Sequence, residues 1–412
     1  MSFLLANNII TKNQHGFLSK HSTATNILEC LHDWNLSLNN NRRQDIAYID
    51  FARAFDSVVH SKLLHKLHNY GVRGKLYNWI SEFLSGRSQC TVVENEFSSV
   101  KNVNSGVIQG SCLGPLLFLL FINDIDGIGV NDSICKLYAD DLKLYTNYTD
   151  SDSVDSLQST LNNLYAWSVK WQLGINYSKC HILHLGSKNS NSNYFINGFK
   201  IDSGTVVTDL GIQVDSNLRF NCHINNICSR AHSRICMLFR GFVSRDPELL
   251  IKAYKIYVRP LLEYCTVVWS PWQIGLIHAV ENVQRYFTRR LLWPKVLSYR
   301  ERLALFNLEL LELRRIKFDM YYCFKILNNL TCLDSNLYFS NDNRNILKIR
   351  NYDDKLLRVS QFVNNRTDNL FFNRCVHIWN SLTYECRSIT CFIDFKRYLD
   401  NHDFSKFLKG HV

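Results

Sequence analysis

Hydrophobic and polar positions recur along this chain in two rhythms. Between residues 23 and 40, Ile27, Leu28, Leu31, Trp34 and Leu38 fall at helical spacing. Ile46 to Ile49 is instead a short unbroken apolar run leading into Asp50, the pattern of a buried strand. Helical spacing returns over 61–84 through Leu63, Leu67, Trp79, Ile80 and Leu84, with a break near Gly71 and Gly74. Gln89 to Val103 alternates around Glu94-Asn95-Glu96, which predicts a hairpin. Gly106 to Gly114 is a glycine-rich loop, and Pro115 suits the first position of a helix that Leu116 to Ile122 continues. Ile134 to Tyr145 reads as two short strands around Tyr138-Ala139-Asp140-Asp141, followed by a helix over 153–173 and strands over Ile182–Leu185 and Val206–Val214. From about 222 the pattern is mostly helical, through 224–243, 247–265, 275–292, 299–330 and 367–380. Polar stretches at 186–196 and 333–345 predict surface loops. The plan is mixed strand and helix in front and mostly helix behind.

Composition narrows the class. Hydrophobic residues make up 46% and charged residues 20%, which excludes a disordered chain. Five Pro and 17 Gly in 412 residues exclude collagen-like and linker-like chains. The 14 Cys form no C-x-x-C and no zinc-finger spacing, so they read as reduced thiols, and the expected location is intracellular, in cytoplasm or nucleus. The longest apolar run, Leu113 to Ile122, is too short to span a bilayer, so no membrane partner is expected.

Charge changes the picture more. Lys plus Arg number 47 against 36 Asp plus Glu, a formal net charge of +11. Residues 1–230 hold 19 of each sign, so the whole excess lies in 231–412. A neutral front and a basic back suggest that the back half holds a polyanion, with a solvated helical surface as the alternative. On a helix Arg285, Arg289 and Arg290 share a face, and Arg314, Arg315 and Lys317 form a second cluster.

Acidic residues supply the candidate chemistry. Asp50 ends an apolar strand and Asp140-Asp141 sits at a hairpin tip. A carboxylate at such a place needs a partner or solvent. If the two strands are neighbours, Asp50 and Asp140 converge into a hard oxygen site of the kind that suits Mg²⁺. Turn carboxylates facing solvent are the alternative, and spacing alone does not separate the two.

The strings around them do. Asp50-Phe51-Ala52-Arg53-Ala54-Phe55-Asp56, then Ser105-Gly106-Val107-Ile108-Gln109-Gly110 through Gly114-Pro115, then Tyr138-Ala139-Asp140-Asp141 resemble, in this order, motifs A, B and C of reverse transcriptases. The resemblance is to the LINE-type (non-LTR retrotransposon) group, jockey-like members above all. Flanking strings agree: Gln14-His15-Gly16-Phe17 before motif A, Trp171 to Asn176 with Lys179 as motif D, and Asp209-Leu210-Gly211-Ile212 as the primer-grip hairpin. Further on, Arg259-Pro260-Leu261-Leu262-Glu263-Tyr264 and Glu281 to Arg285 resemble the helical segment that follows the palm.

The resemblance implies an α+β right-hand polymerase. It has an antiparallel palm sheet with packed helices, partial fingers and a helical thumb. The expected division is 1–44 partial fingers, 45–220 palm, 221–330 thumb and 331–412 a C-terminal helical extension. The implied activity is RNA-directed DNA synthesis, with an RNA template, a DNA primer and deoxynucleoside triphosphates as partners. Asp50, Asp140 and Asp141 correspond to the carboxylates that hold two Mg²⁺ ions, with Mn²⁺ possible, and the Phe51 carbonyl to a backbone ligand. Phe55 corresponds to the bulky gate under the incoming sugar, Gln109 and Gly110 to the nucleotide pocket, and Lys179 to the motif D lysine. Arg285, Arg289, Arg290, Arg314 and Arg315 are then thumb contacts to nucleic-acid phosphates.

Three features depart from the group's pattern. Members carry an upstream fingers segment and commonly an endonuclease, which implies an N-terminally truncated chain. Ile108 stands where Pro is usual, and Ser381 follows Trp379-Asn380 where Leu-Pro is usual. The alternative function is therefore a weak or inactive element-derived fragment that binds RNA or DNA through its basic half.

Overall fold

The computed structural model describes residues 2–40, 42–131, 133–146, 152–186, 189–340, 355–359 and 369–410. They form two compact units: Met1–Asn26 with Cys30–Leu210, and Ile27–Glu29 with Gly211–Val412.

The first unit is built on one sheet. Its strands are β1 (Gln44–Ile49), β2 (Ser133–Tyr138), β3 (Asp141–Thr146), β4 (His181–Leu185) and β5 (Asp202–Gly204), in the order β5-β4-β1-β3-β2. All neighbours are antiparallel except β5 and β4. β1 is central and buried throughout, which explains its continuous apolar run. Asp45, the charge inside it, is matched by His184 Nδ1 at 2.7 Å and the Tyr194 hydroxyl at 2.6 Å.

Helices cover the sheet. Ala47, Ile49, Leu142 and Leu144 share a core with Phe118 and Phe121 of α4 (Gly114–Ile122) and with Leu161 and Leu164 of α5 (Asp152–Trp171). α4 is apolar all round and seven of its nine residues are buried, so it is an interior helix and shows no amphipathic stripe. α1 (Thr23–Asn39) begins at a Ser22–Thr25 capping box and buries Leu31 and Trp34. The apolar pattern over 61–84 resolves into α2 (His60–Asn69) and α3 (Gly74–Leu84), and Gly71 and Gly74 take positive φ at the break. The expected hairpin is present as Val92–Val93 paired with Glu96–Phe97, turning on Glu94 and Asn95, both at positive φ.

The second unit is helical: α6 (Asn221–Gly241), α7 (Ile274–Leu292), α8 (Tyr299–Phe306), α9 (Leu311–Leu327), α10 (Phe371–Asn380) and α11 (Phe392–Asn401), with shorter segments between. Tyr254 stacks on Phe287 at 4.5 Å, and Phe324 on Phe395 at 4.5 Å. The single helix expected over 299–330 is two, because Asn307 adopts a left-handed backbone that ends α8. Parts of the expected loops, 187–188 and 341–345, lie outside the described residues, as do 367–368 of the expected helix.

Candidate active site

Three carboxylates meet at one end of the first unit's sheet. β2 and β3 are joined by the two-residue turn Ala139-Asp140, with Tyr138 opposite Asp141 and Ala139 at φ +57°. β1 pairs with β3 so that Ile49 faces Leu142, which brings the next residue, Asp50, to the same end as that turn. Burial raises the Asp140 carboxyl above its usual range, and the nearby Asp50 raises it further. Desolvation and then the charges of Asp140, Asp209 and Asp50 push Asp141 up to about 6, against the lowering effect of Lys143. The only cation that pairs with any of the three among the described residues is Lys179, its Nζ 4.0 Å from Asp50 Oδ1. Crowded, partly desolvated oxygens with so little positive charge are a donor set for a hard divalent cation.

Backbone pairing brings Lys179 there. The Ala52 N–H donates to the Gly174 carbonyl and the Asn176 N–H to the Asp50 carbonyl, both at 2.8 Å, with Phe51 opposite Ile175. The Gly174–Asn176 segment is thereby zipped to the residues that follow β1. Phe51 itself is buried, its ring 6.2 Å from that of Trp167.

The glycine-rich loop closes on the same segment. Gly106, at φ +88°, leaves no room for a Cβ, which would lie 2.8 Å from the Asp56 carbonyl oxygen. The Ser105 hydroxyl donates to that oxygen at 2.9 Å, and Gln109 Nε2 donates to the Asp56 carboxylate at 2.8 Å. Gln109 and Gly110 are exposed. Phe55 is half-buried, stacked on Phe118 at 4.2 Å and edge-on to Phe17 at 6.2 Å.

Two braces around the turn were not assigned roles by sequence reasoning. Gln14 is 2% exposed, and its side-chain oxygen accepts from the Ala139 N–H at 2.8 Å and the Gly16 N–H at 2.7 Å. Its amide nitrogen donates to the Ala139 carbonyl at 3.4 Å. A Cβ on Gly16 would lie 2.4 Å from the Ala139 nitrogen, so only glycine lets this strand lie against the turn. On β3, fully buried Lys143 donates to both oxygens of Asp209, at 3.0 and 2.8 Å, and to Asn26. The signal for both braces was the recurrence of Gln14-His15-Gly16-Phe17 and Asp209-Leu210-Gly211 as motif strings.

The arginines separate. Arg289 and Arg290 are exposed on α7, and the half-buried Arg285 guanidinium lies 4.5 Å from the Tyr299 ring. Arg314 and Arg315 do not belong with them. Arg314 is held by Glu263 and Glu309, and Arg315 is 2% exposed among Glu281, Glu312 and Asp319. Neither presents a guanidinium to a ligand: that of Arg314 is taken up by carboxylates, and that of Arg315 is buried. Glu281 likewise makes no pair with Arg285: it accepts from the Tyr299 hydroxyl and from the Leu311 and Glu312 N–H groups.

Helices packed on a largely antiparallel sheet, with acidic residues gathered at its end, define a polymerase palm. The chain belongs to the reverse transcriptase (RNA-dependent DNA polymerase) family, whose model matches residues 2–214. It is a LINE-type member. It is 29% identical over 272 residues to the RNA-directed DNA polymerase from mobile element jockey of Drosophila funebris, covering 63% of this chain and 30% of that protein. It is 24% identical over 293 residues to the probable RNA-directed DNA polymerase from transposon X-element of Drosophila melanogaster, covering 68% and 32%. The chain thus spans about a third of the length of these relatives. Among solved structures, apo telomerase from Candida tropicalis aligns with 76% of this chain and 52% of its own at 10% identity and a TM-score of 0.39. Among the described residues no helix is long and apolar enough to cross a membrane.

Proposed function

We propose that this chain is an RNA-directed DNA polymerase that adds deoxynucleotides to a primer 3′ end on an RNA template, releasing pyrophosphate. The observation that carries this reading is the gathering of Asp50, Asp140 and Asp141 at one sheet end with Lys179 as their only cationic partner among the described residues. Asp50 and Asp140, with Asp141 beside them, are the residues that would hold two Mg²⁺ ions, or Mn²⁺ in their place. Bound there, the metal supplies activation of the primer hydroxyl and neutralisation of phosphate charge.

The chain's own side chains do the positioning. Lys179, exposed and 4.0 Å from Asp50, is placed to neutralise or protonate the departing pyrophosphate. Phe55, braced by Phe118, is a wall against a 2′-hydroxyl and so favours deoxynucleotides. Gln109 and Gly110 face the incoming nucleotide, and Arg285, Arg289 and Arg290 take phosphates of the template–primer. On this reading 45–220 is palm, 1–44 partial fingers, 221–330 thumb and 331–412 a C-terminal extension.

Primer extension on a homopolymer RNA template with Mg²⁺ tests it. Asp50→Ala and Asp140→Ala should each abolish extension while thermal melts stay cooperative, and chelation should stop the wild type until Mg²⁺ is returned. Extension that persists in the double variant overturns the assignment. Nucleic-acid binding without extension by the wild type favours an inactive binding fragment.

A further inference from the structure

The basic residues of the second unit are sorted by their partners. Arg314 is paired with Glu263 and Glu309, Lys317 with Glu309 and Asp400, and Arg374 with Asp319. Arg285, Arg289, Arg290 and Lys295 have no carboxylate partner among the described residues. Arg285, Arg289 and Lys295 line a groove of about 560 Å³ together with Trp293, Tyr299 and Arg302. Two carboxylates next in sequence to groove residues are engaged elsewhere: Glu281 by the Tyr299 hydroxyl, and Glu301 by the Ser298 N–H at the start of α8.

The groove is also aromatic where it is most open. Trp293 is 74% exposed and Val296 is 96% exposed, although both belong to residue types that folding normally covers. A duplex offers phosphates to such a groove but keeps its bases stacked inside. A single strand offers both phosphates and free base faces, and an indole beside guanidinium groups suits that combination.

We propose that this groove binds single-stranded nucleic acid, with Arg285, Arg289 and Lys295 on consecutive phosphates and a base stacked on Trp293. The proposal rests on the reading of this face as a phosphate-binding one and adds that it takes an unpaired strand.

The test uses the full chain and fluorescence anisotropy with labelled oligouridylate, oligothymidylate and an RNA–DNA duplex of the same length. Trp293→Ala should weaken at least one single-stranded probe about tenfold without changing the salt slope, and should leave the duplex unchanged. Trp293→Phe should restore most of the affinity. Arg285→Gln with Arg289→Gln should weaken every probe and make the single-strand salt slope shallower by about 1.4. Unchanged binding of both single strands by Trp293→Ala overturns the proposal, as does equal loss on the duplex or equally effective competition by an oligoglutamate peptide. If the double arginine variant leaves all probes unchanged, the phosphate-binding reading beneath it fails as well. The binding assay contains no nucleotide and reads no synthesis, so a failed extension assay leaves this test intact. Thermal melting checks that each variant remains folded.

Discussion

Removing the amide of Gln14 should slow the chemistry without moving nucleotide affinity. Gln14→Met keeps the side chain's approximate volume and deletes its hydrogen bonds, so no cavity complicates the result. Two buried donors, the N–H groups of Ala139 and Gly16, then lose their acceptor. Each such loss costs about 1–3 kcal/mol. The first lies on the turn that carries Asp140, where Ala139 already holds a positive φ, and the second on the segment packed against that turn. If about half of a total near 4 kcal/mol appears as misalignment of Asp140 in the transition state, kcat falls by roughly 30-fold. The remainder lowers stability, at roughly 2–4 °C of melting temperature per kcal/mol for a unit of this size.

Steady-state primer extension measures kcat and the nucleotide KM, and KM should change by less than about threefold. Hydrogen exchange gives a second, activity-independent reading: the Ala139 amide should exchange faster in the variant. Gln14→Glu retains the acceptor and should keep that amide more protected than Gln14→Met does. A Gln14→Met protein with wild-type kcat and undiminished protection of Ala139 refutes the reasoning.

Other positions give equally direct expectations. Lys143→Met strands the buried Asp209 carboxylate and should cost about 3–5 kcal/mol in urea unfolding, with Lys143→Met/Asp209→Leu recovering much of it; a single variant as stable as wild type contradicts this. His223 is buried, and desolvation followed by the charge of Arg230 lowers its pKa to about 4. The unfolded state therefore binds more protons between about pH 6.5 and 4, so stability should fall with pH across that window, by at most about 3 kcal/mol, and His223→Gln should flatten the slope. At Gly114 a Cβ would lie 2.3 Å from the Ile108 carbonyl oxygen, so Gly114→Ala should destabilise by about 1–3 kcal/mol. Gly127→Ala, with nothing within 4 Å, should melt within about 0.5 kcal/mol of wild type.

Much of the fold was legible because burial leaves a periodic trace. β1 is buried on both faces and reads as an unbroken apolar run, and the residue that escapes the core at its end is Asp50. The break between α2 and α3 was marked by glycines that do take positive φ. Other features left no local trace. Gln14 meets Ala139 across 125 positions, and a motif string gives the presence of a glutamine without its partner. Glu281 and Arg285 have ideal spacing for an intrahelical pair, yet Glu281 spends both oxygens on Tyr299 and the start of α9. Arg314 and Arg315 looked like surface cations because a helical wheel shows a shared face but not what lies against it. Glu263, which holds Arg314, is 51 residues away.

Partners brought in from distant positions decide the fate of both signs of charge. Net charge counts groups, whereas binding depends on those that folding leaves without a partner. Asp45 is buried, but His184, Tyr194 and Asn189 overcome its desolvation and hold its pKa below the usual range, so it has nothing left to offer a metal. Asp209 is spent on Lys143, and Asp319 on Arg374. Burial raises Asp140 and Asp141, a backbone hydrogen bond at Asp140 and the charge of Lys143 near Asp141 do not offset it, and that shortfall of positive charge is what a divalent cation can supply. Around α7 the converse holds: the helix packing of the second unit neutralises Arg314, Lys317 and Arg374 internally and leaves Arg285, Arg289 and Lys295 without a carboxylate partner among the described residues. A charge reversal at Arg314 should therefore unfold the helical unit before it alters nucleic-acid affinity, whereas neutralising Arg289 should alter affinity and leave the melting curve where it was.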